Sequence, residues 1–112
     1  MQQLFELHQL QADRQRRARA YLEFLRIPAM SAGVYVLPVG ATDRQQPHNE
    51  DEIYYVVSGR AQMLLRNADG SQQTLAIARG QTIFVPARQE HRFHSIEEEL
   101  TLLVVFAPAE TT

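Results

Sequence analysis

The sequence contains no cysteine. Disulfides, thiolate metal sites and cysteine nucleophiles are therefore excluded. Lysine is absent too: all eleven basic residues are arginine, which genome composition explains as well as function does. Neither sign of charge dominates, since the formal net charge is −2, so no global field points to nucleic acid or an anionic membrane. No stretch approaches the ~20 apolar residues of a membrane span. The first twenty residues lack the apolar run of a secretory signal. These absences set the expectation of a cytoplasmic protein with neither a membrane nor a nucleic-acid partner.

What is present suits one domain. A chain of 112 residues is long enough for one core and too short for two. At this size roughly 60–70% of the unfolded chain's surface is buried on folding, so no staple is required. The chain divides into an arm (1–19), a strand-rich body (20–107) and a tail (108–112) expected to fray. Between residues 3 and 19 there is neither proline nor glycine. Leu4, Leu7 and Leu10 fall on one helical stripe there, which predicts a short amphipathic helix. Arg14, Arg16, Arg17 and Arg19 form a basic cluster. It reads as a solvated face, because no aromatic residues are interleaved as a single-strand binder would want.

From residue 20 onward, short apolar segments alternate with turn signals. Strands are predicted at Tyr21–Ile27 and Ala32–Leu37, joined across Pro28-Ala29-Met30-Ser31. Ile53–Val57 ends at Ser58-Gly59, and Ala61–Arg66 ends at Asn67-Ala68-Asp69-Gly70, whose Asp-Gly is a strong hairpin signal. Thr74–Ala78, Thr82–Val85, His91–Ser95 and Leu100–Phe106 complete the set, the last two separated by Glu97-Glu98-Glu99. Such spacing, with no helical pattern between, predicts an all-β sandwich or barrel. Tyr21–Ile27 and Leu102–Phe106 carry more apolar residues than one core face needs, which predicts a homodimer.

Histidine is the commonest metal ligand, and four are present: His8, His48, His91 and His94. On a strand, residues of one parity share a face. Gln46 and His48 share parity, and Glu52 joins them if the chain between bends. His91 and Phe93 share parity at the start of a later strand, which turns His94 outward. Two imidazoles and one carboxylate suit Fe(II), Mn(II), Zn(II) or Ni(II). Ordinary loop and core hydrogen bonding is an equally good reading from spacing alone.

Two longer patterns are more specific. Gly40 is followed after five residues by Gln46, Pro47 and His48, then after three by Glu52 and after six by Gly59. Gly80 is followed after five residues by Pro86, Ala87 and Arg88, then after two by His91 and after three by Ser95. These spacings resemble the two signature motifs of the cupin superfamily over residues 21–107. Three positions depart from the family's pattern: Gln46 for its first histidine, Arg88 for a glycine, which opens a change of loop shape, and Ser95 for an asparagine. The resemblance implies a double-stranded β-helix, or jelly-roll cupin barrel, of two antiparallel sheets with a short N-terminal helical arm. It also implies one divalent transition metal (Zn, Fe, Mn or Ni) on Gln46, His48, Glu52 and His91. The Gln-His-Glu-His set is similar to that of phosphomannose isomerase-type cupins, where the metal is zinc.

Glu50 competes with Gln46 for the fourth position. Parity favours Gln46, and the bend before Glu52 is expected to throw Glu50 toward solvent or the barrel mouth. Glu50 is also a candidate general base, because three successive acids (Glu50, Asp51, Glu52) should raise one another's pKa. Tyr54 follows Glu52 inward, where its hydroxyl would bond substrate or a group supporting the metal ligands, or merely wall the core. The functional expectation is a small metal-dependent enzyme of oxygenase or isomerase type acting on a small polar metabolite. The alternative is a non-catalytic ligand-binding module.

Overall fold

A computed structural model describes the chain except for Gln45, Gln46 and Thr112. The described residues form one helix, α1 (Leu7–Arg16), and six strands: β1 (Tyr21–Ile27), β2 (Met30–Leu37), β3 (Asp51–Arg66), β4 (Gln72–Ala78), β5 (Thr82–Val85) and β6 (His91–Ala107). All pairings are antiparallel. The order is β1-β2-β6-β3-β4, with β5 also on β3.

The expected double-layered barrel is present, and two long strands build both of its layers. The first half of β3 lies between β5 and the second half of β6, whereas its second half lies between β4 and the first half of β6. Tyr54 pairs with Val104 and Ile83, and Phe93 pairs with Met63. Yet the rings of Tyr54 and Phe93 lie edge to face, 5.1 Å apart. The two halves therefore face each other across a core that includes Tyr54, Val56, Met63, Phe93, Leu100 and Leu102.

Two predicted strand ends prove to be bends within continuous strands. β3 does not stop at Ser58-Gly59, and β6 runs unbroken from His91 through the Glu97–Glu99 acids. The reason is bulging: extra residues shift the β3–β6 register between Val56 and Gln62, and each extra residue reverses which face a side chain meets. Buried positions on β3 change from Glu52, Tyr54 and Val56 to Ala61, Met63 and Leu65. Those on β6 change from His91 and Phe93 to Ile96, Leu100 and Leu102. Gly59 serves the bulge rather than a turn. Its φ is +101°, and a Cβ there would lie 2.2 Å from the Glu99 carbonyl oxygen.

The arm departs from its predicted pattern. The helix is shorter than residues 3–19, Leu4 is exposed, and only Leu10 of the leucine stripe is buried. Phe5 supplies the missing contact by packing on Phe24, with ring centroids 4.8 Å apart. Leu10 joins Val34 and Val36 in a small second core. The basic cluster bonds locally, Arg16 to Asp13 and Arg14 to the Arg19 carbonyl, as a solvated face does.

Residues 109 and 110 of the tail bond to the body. The Ala109 N–H donates to the Pro28 carbonyl at 3.3 Å. The Glu110 N–H donates to Ser31 Oγ at 2.9 Å, and Arg26 donates to the Glu110 carbonyl at 2.8 Å. These three bonds tie residues 109 and 110 to the β1–β2 hairpin.

Candidate metal centre

Three strand-borne or strand-adjacent groups converge inside the barrel. His48 precedes β3, Glu52 is the second residue of β3, and His91 opens β6. Each offers one ligand atom, and these atoms lie within 4.8 Å of one another. Glu52 and His91 side chains are each 1% exposed. Pairing in register does not explain the meeting: Glu52 pairs with Val85 and Phe106, whereas His91 pairs with Leu65. Closure of the sheet brings them together.

The loops that hold these residues follow from local chemistry. The Arg88 N–H donates to the His48 carbonyl at 2.6 Å, and Asp51 accepts from the Ala87 N–H at 2.9 Å. Arg88 stands where a glycine was expected, and its φ of +68° lies in the left-handed region that glycine favours. Ser95 likewise has φ +50°, a conformation that asparagine adopts more readily than most residues. Asp43, buried in the loop before His48, accepts from the Tyr35 hydroxyl at 2.7 Å and from the Phe93 N–H at 2.9 Å.

The hydrogen bonds fix which nitrogens face inward. His91 Nδ1 lies 2.8 Å from the Gln89 carbonyl oxygen. A carbonyl only accepts, so Nδ1 carries the hydrogen and a neutral ring presents its Nε2 lone pair. That Nε2 lies 3.1 Å from the Tyr54 hydroxyl, which donates to it, and 3.2 Å from Glu52 Oε1. The Glu52 contact lacks hydrogen-bond geometry, and both Glu52 oxygens are buried without a hydrogen-bond partner. Buried carboxylate oxygens facing an imidazole lone pair call for positive charge between them. A divalent cation fits this set: two neutral nitrogens, one carboxylate and no sulfur.

His48 Nδ1 lies 3.1 Å from Glu110 Oε2, and its ring packs against Phe106 with centroids 4.8 Å apart. The bond to Glu110 raises the His48 pKa above its ordinary value, against the opposing effect of partial burial. Beside the cluster is a cavity of about 160 Å³ lined by Tyr21, Tyr35, His48, Glu52, Tyr54, Val104, Phe106 and Glu110. The Tyr21 hydroxyl is buried without a partner. Burial, followed by the charge of Glu110, raises its pKa, so it remains a proton donor. Gly33 makes room for this ring: a Cβ there would meet Tyr21 Cζ at 2.3 Å. His91 also lines a larger cleft of about 590 Å³ with Arg44, Arg66 and Arg92.

The structure brings together His48, Glu52 and His91 and sets the Tyr54 hydroxyl on His91. Gln46 lies outside the described residues. Glu50 does not point to solvent: it is 3% exposed, and its Oε2 accepts the Thr111 hydroxyl. Glu110, Asp43 and the Tyr21 hydroxyl were not legible. Glu110 is the sole ionisable side chain of a tail read as fraying, and Asp43 and Tyr21 follow no spacing rule.

Residues 33–106 match the Cupin domain family, and the chain belongs to it. It is 47% identical over 107 residues to the uncharacterized protein SCO3923 of Streptomyces coelicolor, covering 96% of this chain and 97% of that one. It is 40% identical over 52 residues to an acireductone dioxygenase of Microcystis aeruginosa, covering 46% of this chain and 28% of the dioxygenase. Among solved structures, oxalate decarboxylase of B. subtilis superposes with a TM-score of 0.69 at 21% identity, over 76% of this chain and 22% of the decarboxylase. That likeness concerns the fold. No helix among the described residues is long and apolar enough to cross a membrane.

Proposed function

We propose that this cupin is a metal-dependent enzyme, of oxygenase or isomerase type, that acts on a small oxygen-bearing metabolite. The observation that carries the reading is the convergence of His48, Glu52 and His91, with Glu52 Oε1 3.2 Å from His91 Nε2 and both Glu52 oxygens buried without a hydrogen bond. His48, Glu52 and His91 would hold the ion, with Gln46 as the proposed fourth donor. A divalent ion in such a site supplies Lewis acidity and an activated water. The chain's own groups bound the substrate. A dry cavity of about 150 Å³ accepts benzene, so the space beside the site suits about six non-hydrogen atoms. The protonated Tyr21 hydroxyl would donate to a substrate oxygen, and Val104 and Phe106 form an apolar wall. Tyr54 would hold His91 or the substrate. Glu50 does not line this cavity, but its buried Oε1 has no hydrogen-bond partner and would accept a proton passed on from the site. One of the sequence relatives is named for an activity, a dioxygenase, which supports catalysis.

One observation favours the second reading, a ligand-binding module without turnover: Glu50 Oε2 is already taken by Thr111. The metal-loaded protein incubated aerobically with two- to four-carbon hydroxy and keto acids, followed by NMR, separates the two. Turnover lost in His91→Ala supports the enzyme; saturable binding without turnover supports the module. We further propose a cytoplasmic homodimer. The absence of cysteine suits a reducing compartment, and Ile53, Tyr55 and Phe84 leave an apolar outer face exposed for a second copy.

A further inference from the structure

We propose that the segment Pro108–Thr111 is a strap that orients the His48 imidazole, with Glu110 as a positioning residue for the metal centre. The inference rests on the metal-binding reading and adds a part outside the cupin signature motifs.

His48 lies before β3 rather than on a strand. Glu110 holds it through Nδ1 at 3.1 Å, where the two side chains are only 17% and 13% exposed. Glu110 is itself fixed through its backbone, by Ser31 Oγ on its N–H and Arg26 on its carbonyl. Ser31 is fully buried. Thr111 donates to the buried Glu50, which ties the strap to the segment carrying His48 a second time. The chemistry matches that of the other imidazole. His91 gives its Nδ1 hydrogen to the Gln89 carbonyl; His48 gives its Nδ1 hydrogen to Glu110. Each neutral ring then offers Nε2. An acceptor on the far nitrogen of a ligating histidine fixes both the tautomer and the ring orientation, and its loss typically costs 10–100-fold in metal affinity. Glu110 lies outside the set of mutually close ligand atoms formed by His48, Glu52 and His91, so it acts through His48 rather than on the ion.

The test compares wild type, Glu110→Ala, Glu110→Gln and a chain ending at Ala107. Three quantities are read: Mn(II) and Zn(II) affinity by chelator competition, the melting temperature of the metal-free protein, and the His48 tautomer by nitrogen NMR at alkaline pH. Glu110→Ala and the shortened chain should lose about 10–100-fold in affinity and the Nδ1-protonated tautomer. At alkaline pH, where His48 is neutral, metal-free Glu110→Ala should melt close to wild type. Glu110→Gln should recover most of the affinity, because its amide oxygen accepts the same bond. Wild-type affinity in Glu110→Ala would overturn the proposal. So would a Gln variant as impaired as Glu52→Gln, which would make Glu110 a ligand. If wild type bound no metal, the metal reading would fail, and the tautomer would still decide the strap: an unchanged His48 tautomer in Glu110→Ala would overturn it.

Discussion

Glu52 holds a carboxylate in the barrel with both oxygens buried and no hydrogen bond to either. A buried polar group of this kind costs about 1–3 kcal/mol, more if charged. A structural residue and a metal ligand therefore respond oppositely to Glu52→Gln. If the carboxylate is a ligand, the metal-free variant should be as stable as wild type or more so, by about 1–3 kcal/mol, while its metal affinity collapses. Urea unfolding in chelator, paired with a metal titration, reads both signs. A large loss of metal-free stability would assign Glu52 a structural role instead. His48 yields a pH dependence. Its bond to Glu110 raises its pKa above the ordinary 6.5. The folded metal-free protein then binds that proton more tightly than the unfolded chain does. The stabilisation is complete below the unfolded value and fades as pH rises through the folded one. Melting temperatures in chelator should fall across that window, and Glu110→Ala should flatten the dependence.

At the scale of elements, the sequence told most about type and least about continuity. β1 and β5 have their predicted bounds, and the Asp69-Gly70 turn joins β3 to β4 with the Gly70 N–H donating to the Asn67 carbonyl. The convergence of His48, Glu52 and His91 was legible because fixed spacings tie them to strand starts. The bends in β3 and β6 were not, because a bulge with a glycine has the same local signature as a turn. Glu110 was hidden for another reason: its partners His48, Ser31 and Arg26 are distant in sequence, and only the closed fold brings them near. Gly59 offers a test of the bulge. Gly59→Ala combines a positive φ with collision against the Glu99 carbonyl, and should cost more than the ~1–3 kcal/mol of backbone strain alone. Gly70 has φ +88° but open space around it, so Gly70→Ala should cost only the strain. Denaturant midpoints compare the two, and equal losses would contradict the close approach.

At the scale of the whole molecule, two long bent strands close the sheet and leave an apolar strip outside. Ile53 and Phe84 are cross-strand partners, and each is exposed, at 44% and 58%. If this face joins two copies, Phe84→Glu should convert a dimer to a monomer in light scattering without unfolding it. A wild-type monomer at micromolar concentration would exclude the dimer. The barrel's interior carries the central claim, that His48, Glu52 and His91 form a binding site for one divalent metal ion. Titration of chelator-stripped protein with Mn, Fe, Co, Ni and Zn, read by elemental analysis after desalting, tests it directly. Wild type should retain up to one transition-metal ion per chain, with retention abolished in Glu52→Gln and in His91→Ala. Wild type that retains no metal, or variants that retain as much as wild type, would contradict it.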